Sequence, residues 1–96
     1  MSPNNKKKLS KLRKRLDKLD NSFIKLIKKR TEIVKQVLKL KQRKSEIVDK
    51  KRIKLILNQI KKKSIKNKID PKITNRIWKN MIYSYIEYEK RNFKNN

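Results

Sequence analysis

From Leu9 the chain repeats apolar residues at alternating intervals of three and four: Leu9, Leu12, Leu16, Leu19, Phe23 and Leu26, then Ile33, Val37 and Leu40. That spacing is the a/d seam of a long α-helix packed against other helices. Between Leu26 and Ile33 the register reserves one more place for hydrocarbon, and Arg30 stands there. A guanidinium enclosed in such a seam costs on the order of several kcal/mol unless an anion and hydrogen bonds compensate it. The same interruption recurs near the C-terminus, where Trp78, Met81, Ile82 and Tyr85 form a stripe that Glu89 completes. Two helices thus carry charge where packing alone wants hydrocarbon, which predicts a buried anion site.

The same periodicity divides the chain. The first helix is expected from about Lys8 to Gln42, its last turn merging into the loop Arg43-Lys44-Ser45-Glu46. A second spans about Asp49 to Lys66, with Asp49 as N-cap and an apolar stripe of Ile53, Ile56, Leu57 and Ile60. The third opens at Asp70-Pro71, a cap followed by proline at the first helical position, and continues to about Phe93. Asn67-Lys68 must make the turn between them without glycine, and asparagine is the residue expected to take the left-handed conformation. No stretch alternates with period two. An all-α fold is predicted, three helices in one domain over residues 1–96, with a flexible basic N-terminus to about residue 8 and a flexible C-terminus from about 94.

Length turns this into an expectation about assembly. A helix of about 34 residues is roughly 51 Å long, whereas a compact chain of this size has a radius of gyration of roughly 12–13 Å. The first helix outruns what two shorter helices can cover, so its Leu9 to Leu19 half needs another partner. A two-fold homodimer with the long helices side by side supplies one.

Composition removes most kinds of chemistry. Histidine, cysteine and glycine are absent. Ser-His-Asp and Cys-His catalysis, thiolate metal sites and Gly-rich phosphate loops are therefore excluded, and no metal and no cofactor are expected. No apolar run approaches the roughly 18–20 residues of a membrane span. Ser2 to Lys8 is basic but no apolar segment follows it, so it does not read as a secretory signal, and the expected location is the cytoplasm. A formal charge of +24 invites a nucleic-acid reading. Lysines rather than arginine forks dominate that charge, however, and no aromatic residues interleave with them. Most of the lysines are expected to be solvated surface, with no specific nucleic acid as partner.

The remaining cations form a constellation. Arg30 and Lys41 are 11 residues apart and face broadly the same side of the first helix. Arg13 lies 17 residues before Arg30, about 25 Å along the axis, too far for one small ligand to touch both. In an antiparallel dimer the second chain's Arg13 closes the site, and Arg52 adds another fork. Several fixed cations aimed into one pocket suit a small dianion such as a dicarboxylate.

These residues resemble the all-helical chorismate mutases. The segment LSKLRKRLDKLDNSFIKLIKKRTEIVKQVLKLK is similar to that family's first helix, with its Arg near the start, its mid-helix Arg and its closing Lys. VDKKR and DPKITNRIWKNMIYSYIEYE resemble the entry to its second helix and its third helix, so the likeness runs from Leu9 to about Phe93. The resemblance implies an intertwined homodimer with two equivalent sites that rearranges chorismate to prephenate. It implies that Arg13 from the other subunit holds one substrate carboxylate and Arg30 the other. Lys41 would donate to a carboxylate and to the ether oxygen whose bond breaks. Asp49 and Arg52 match the pair that supports the hydroxyl end and the pocket wall. Glu89 falls where many members carry Gln as the second donor to that oxygen, and must be protonated to donate.

Two positions depart from the family pattern. Ile53 stands where many mutases have a Glu that contacts the ring hydroxyl, and Tyr85 where Ser is common. Both look like the isochorismate-pyruvate lyase branch, which shares the dianion-binding frame, so that activity is the alternative. A basic helical protein that binds nucleic acid is the alternative outside enzymes. The chemistry explains why so small a catalytic inventory suffices. A pericyclic rearrangement needs no nucleophile, metal or general base, only a folded conformer and donors where charge develops.

Overall fold

The computed structural model describes residues 1–94. Among them the chain forms three α-helices, α1 (Pro3–Leu40), α2 (Lys50–Lys66) and α3 (Pro71–Asn92), with a 3-10 turn at Lys44–Glu46 and no strand. The all-α prediction is met. Two compact units are distinguished, Met1–Ile33 and the chain from Val34 onward, and each is described by itself. The last two residues of the expected flexible C-terminus lie outside the described residues.

The first unit is a single stretch of α1. Residues 3–8, a basic tail by sequence, are helical, and the helix starts at Pro3 instead of about Lys8. The reason is local. Pro3 occupies the first helical position, where its missing N–H is no loss. The Ser2 hydroxyl accepts the backbone N–H of Asn5 at 3.2 Å, capping one of the open donors. The apolar stripe beyond it is exposed: Leu12, Leu19 and Leu26 remain 51%, 65% and 63% accessible. Arg30, in line with them, is exposed too. Enclosing Arg30, as expected of an anion site there, requires a surface packed on this stripe.

The second unit gathers the end of α1, the loop and the helical hairpin α2–α3. Asp49 caps α2 by accepting the Arg52 N–H at 3.0 Å, and Asp70 caps α3 by accepting the Lys72 N–H at 2.9 Å, with Pro71 at the first helical position. Near the hairpin turn the Ser64 hydroxyl lies 2.6 Å from the Ile60 carbonyl and 2.6 Å from the Thr74 hydroxyl. One hydroxyl has one proton. If Ser64 donates it to Ile60, Thr74 must donate to Ser64, and two short side chains then join α2 to α3 with no gap. In the loop, Glu46 Oε1 accepts the N–H groups of Gln42 at 3.3 Å and Arg43 at 3.0 Å. Next to it, Ile47 is the buried apolar side chain of the described residues, 3% exposed.

The turn between α2 and α3 corrects one expectation. Asn67 keeps a negative φ, and Lys68 takes the left-handed conformation at φ 57°. Ile69 N–H reaches back to the Ser64 carbonyl at 2.9 Å and Lys68 N–H to the Ile65 carbonyl at 3.1 Å. This pair of bonds is the Schellman arrangement, which places the left-handed residue one position after the C-cap. Asn67 is the C-cap itself, so the geometry of the helix end selects Lys68 whatever its side chain prefers. A lysine there carries a steric penalty that glycine escapes. Lys68→Gly is expected to raise unfolding stability by about 0.5–1 kcal/mol, read as a shifted midpoint in chemical denaturation. An unchanged or lowered midpoint would show that the strain lies elsewhere.

Candidate active site

Lys41 follows α1 directly, and Glu89 lies in the last turn of α3. The Lys41 ammonium donates to Glu89 Oε1 at 3.0 Å, across 48 residues of sequence. Their side chains are 17% and 8% exposed. In a chain whose lysines otherwise face water, this withdrawal of one ammonium and one carboxylate singles the pair out. Each ion needs the other, since an unpaired buried charge is far more costly than a paired one. The pair also ties the end of α1 to the end of α3, which fixes where both groups point.

The other residues singled out by sequence are spread unevenly about this pair. Tyr85 stands one helical turn before Glu89 on α3 and is half-buried. Asp49 lies with Lys41, Glu46 and Val48 along an open cleft of about 620 Å³. Its carboxylate is already engaged as the cap of α2, so in this chain its first role is structural. Arg52, in the first turn of α2, gives its backbone N–H to that cap while its side chain stays exposed. Ile53 is half-buried and borders a different groove between α2 and α3, with Leu57, Tyr83, Ile86 and Glu87. Arg13 and Arg30 belong to the first unit. Arg13 borders a shallow depression with Lys6, Lys14 and Asp17, and Arg30 is exposed.

Two further features are not evident from sequence reasoning. Tyr88 and Asn92 join Lys35, Leu38 and Lys41 along a second cleft of about 580 Å³, so Lys41 is accessible from two sides. They continue the stripe of α3 at spacings of three and four from Tyr85, but only the packing of α3 beside the end of α1 shows which groups they meet. Glu46 looks like part of a plain loop, yet it holds the two N–H groups that follow Lys41. Its spacing of four from Gln42 is the signal that could have found it.

One ammonium and one carboxylate are thus held together, largely out of water, within the second unit. The family model of chorismate mutase type II matches residues 12–90. The chain belongs to this family. No curated protein and no solved structure gives a match. The matched span contains Arg13, Arg30, Lys41, Asp49, Arg52, Tyr85 and Glu89. Chorismate mutases are isomerases, and chorismate is the substrate that family membership assigns to this chain. Among the described residues, no helix of the mutase is long and apolar enough to cross a membrane.

The coupling within the Lys41–Glu89 pair is measurable. Lys41→Met strands the Glu89 carboxylate and is expected to cost about 1–3 kcal/mol. The double variant Lys41→Met/Glu89→Leu should recover much of that loss, because neither buried charge then remains. Denaturation of the two single variants and the double variant gives the coupling energy. Strictly additive losses would mean that the pair contributes nothing as a pair.

Proposed function

We propose that this mutase is a cytoplasmic homodimer, each chain one domain, that converts chorismate to prephenate at two sites shared between subunits. The observation that carries the reading is the enclosed Lys41–Glu89 pair, 3.0 Å apart. Its two groups are those that the family resemblance assigns to the ether oxygen. Support for the dimer comes from the exposed seam. Leu12 to Leu40 carries apolar surface in water, and burying it stabilises by about 25 cal/mol per Å². A second α1 laid along the seam covers this surface and encloses Arg30 at the same time.

In the proposed site Arg30 forks one carboxylate of the substrate, and Arg13 of the partner subunit forks the other. Two guanidinium forks hold a dicarboxylate in one orientation, which favours the folded conformer in which the reacting carbons meet. The C–O bond of the enol ether breaks while a C–C bond forms, and negative charge grows on the ether oxygen. Lys41 turns its ammonium to that oxygen. Glu89, when it carries a proton, donates a second hydrogen bond to the same atom. Asp49 and Arg52 complete the wall at the hydroxyl end, and Tyr85 lines the side of α3 beside Glu89. Because these donors are preset and no water need reorganise, the gain falls on the transition state rather than on the bound substrate.

Arg30→Ala is expected to lower turnover by about 10²–10³ while helicity and dimer persist, since removing the charge from the seam also removes its desolvation cost. The sharper test mixes chains. Arg13→Ala and Arg30→Ala homodimers are both expected to be nearly inactive. A heterodimer of the two has one site with both arginines intact, so activity should return to about half the wild-type level per dimer. Mixed dimers verified by mass that stay inactive would refute subunit sharing.

Glu89 serves the proposed reaction only as a hydrogen-bond donor, which a carboxyl is when it carries a proton. Glu89→Gln, whose amide is a donor of similar shape, is expected to keep turnover, whereas Glu89→Leu, with no donor, should lower it by about 10²–10³. Equal turnover in the two variants would remove Glu89 from this role.

A further inference from the structure

We infer that the face of α1 opposite the apolar seam docks on the phosphate backbone of double-stranded nucleic acid, without reading its sequence. Within the first unit, Lys7, Lys11, Lys14, Lys18, Lys25 and Lys28 follow the same alternation of three and four as the seam, with Asn21 filling the one gap. The row is displaced by two residues from Leu9, Leu12 and Leu16, which is about 200° around an α-helix. It therefore lies on the far side from the seam. All six lysines are exposed, and none has an ion-pair partner among the described residues.

A bias toward lysine codons does not account for this row. Between residues 8 and 31, the α1 positions outside both the row and the seam include only Lys8 and Lys29 as lysines. The others are Ser10, Arg13, Arg15, Asp17, Asp20 and small polar or apolar residues. Lysine is concentrated on one line. Like charges three and four apart weaken a helix, so the concentration works against the fold and calls for an anionic counter-surface. The row runs for about 32 Å, close to the roughly 34–36 Å of one duplex turn. It holds point charges without arginine forks or stacking aromatics, which suits phosphates and not base edges. An anionic membrane is the poorer match. A helix lying on lipid inserts its apolar side, and here the apolar side points directly away from the lysines. The proposal is independent of the catalytic reading, since none of these lysines contributes to the site.

Binding of the full chain to a short labelled duplex of arbitrary sequence, followed by fluorescence anisotropy across a salt series, tests it. Six phosphate contacts give a slope of log K against log salt of about −5. The variant Lys11→Gln, Lys14→Gln, Lys18→Gln, Lys25→Gln keeps good helix formers. It should reduce the slope to about −2 while mutase turnover stays at the wild-type level, which also reports that the fold is intact. Four equivalent changes off the row, at Lys61, Lys62, Lys72 and Lys79, should leave the slope near −5. Equal effects of the two variants, or no duplex binding at low salt, would overturn the assignment. So would binding to phosphatidylserine vesicles at a salt concentration that abolishes binding to the duplex.

Discussion

The hydrophobic effect is left unsatisfied by this chain on its own, and everything else follows from that. Ile47 is buried, while Leu12, Leu16, Leu19, Phe23 and Leu26 along α1 stay largely in water. A helix can carry such a stripe only if another surface removes it from water, because helix propensity alone is marginal and packing supplies most helical stability. Along the first unit these side chains stay exposed. In the proposed homodimer the covered surface is also part of the site, and Arg30, in the middle of the stripe, is enclosed together with its anion.

Within the second unit a different logic holds. The apolar stripes of α2 and α3, among them Ile56, Leu57, Ile60, Trp78 and Met81, are at least half-buried there, and polar contacts of short reach fix their geometry. Ser64 and Thr74 join the helices of the hairpin, Asp49 and Asp70 start them, and Glu46 holds the loop. Lys41 and Glu89 then close the end of the unit. Each of these bonds is worth only about 1 kcal/mol net, but leaving any one unmade in a partly buried setting costs more than making it gains. This is a framework suited to holding charges in fixed directions. A catalyst for a pericyclic reaction asks for nothing more, since it offers a preset electrostatic environment and takes no part in bond making.

The two faces of α1 divide its tasks. Its seam carries leucines with a single arginine, and the opposite line carries lysines with a single asparagine over the same interval. Because an α-helix turns through about 100° per residue, a displacement of two positions separates these rows almost completely. Charge on one face therefore need not disturb packing on the other.

Patterns that depend on neighbours along the chain are legible in the amino-acid sequence by itself. The three helices, the caps Asp49 and Asp70, and the proline start of α3 are local, since a capping side chain reaches only two or three residues along its own chain. The candidate charges Arg30 and Glu89 are legible because each breaks a period that its neighbours establish, and family membership gives them a chemical setting. The early start of α1 at Ser2-Pro3 is also local, but the run of lysines that follows obscures it. What only the tertiary structure decided involves partners far apart or the closing geometry of a helix end. Glu89 meets Lys41 across 48 residues, and Lys68 rather than Asn67 takes the left-handed turn. Pairing at long range depends on how helices pack, and a helix end imposes its backbone angles on whichever residue follows the cap. Neither is encoded in the preferences of single residues.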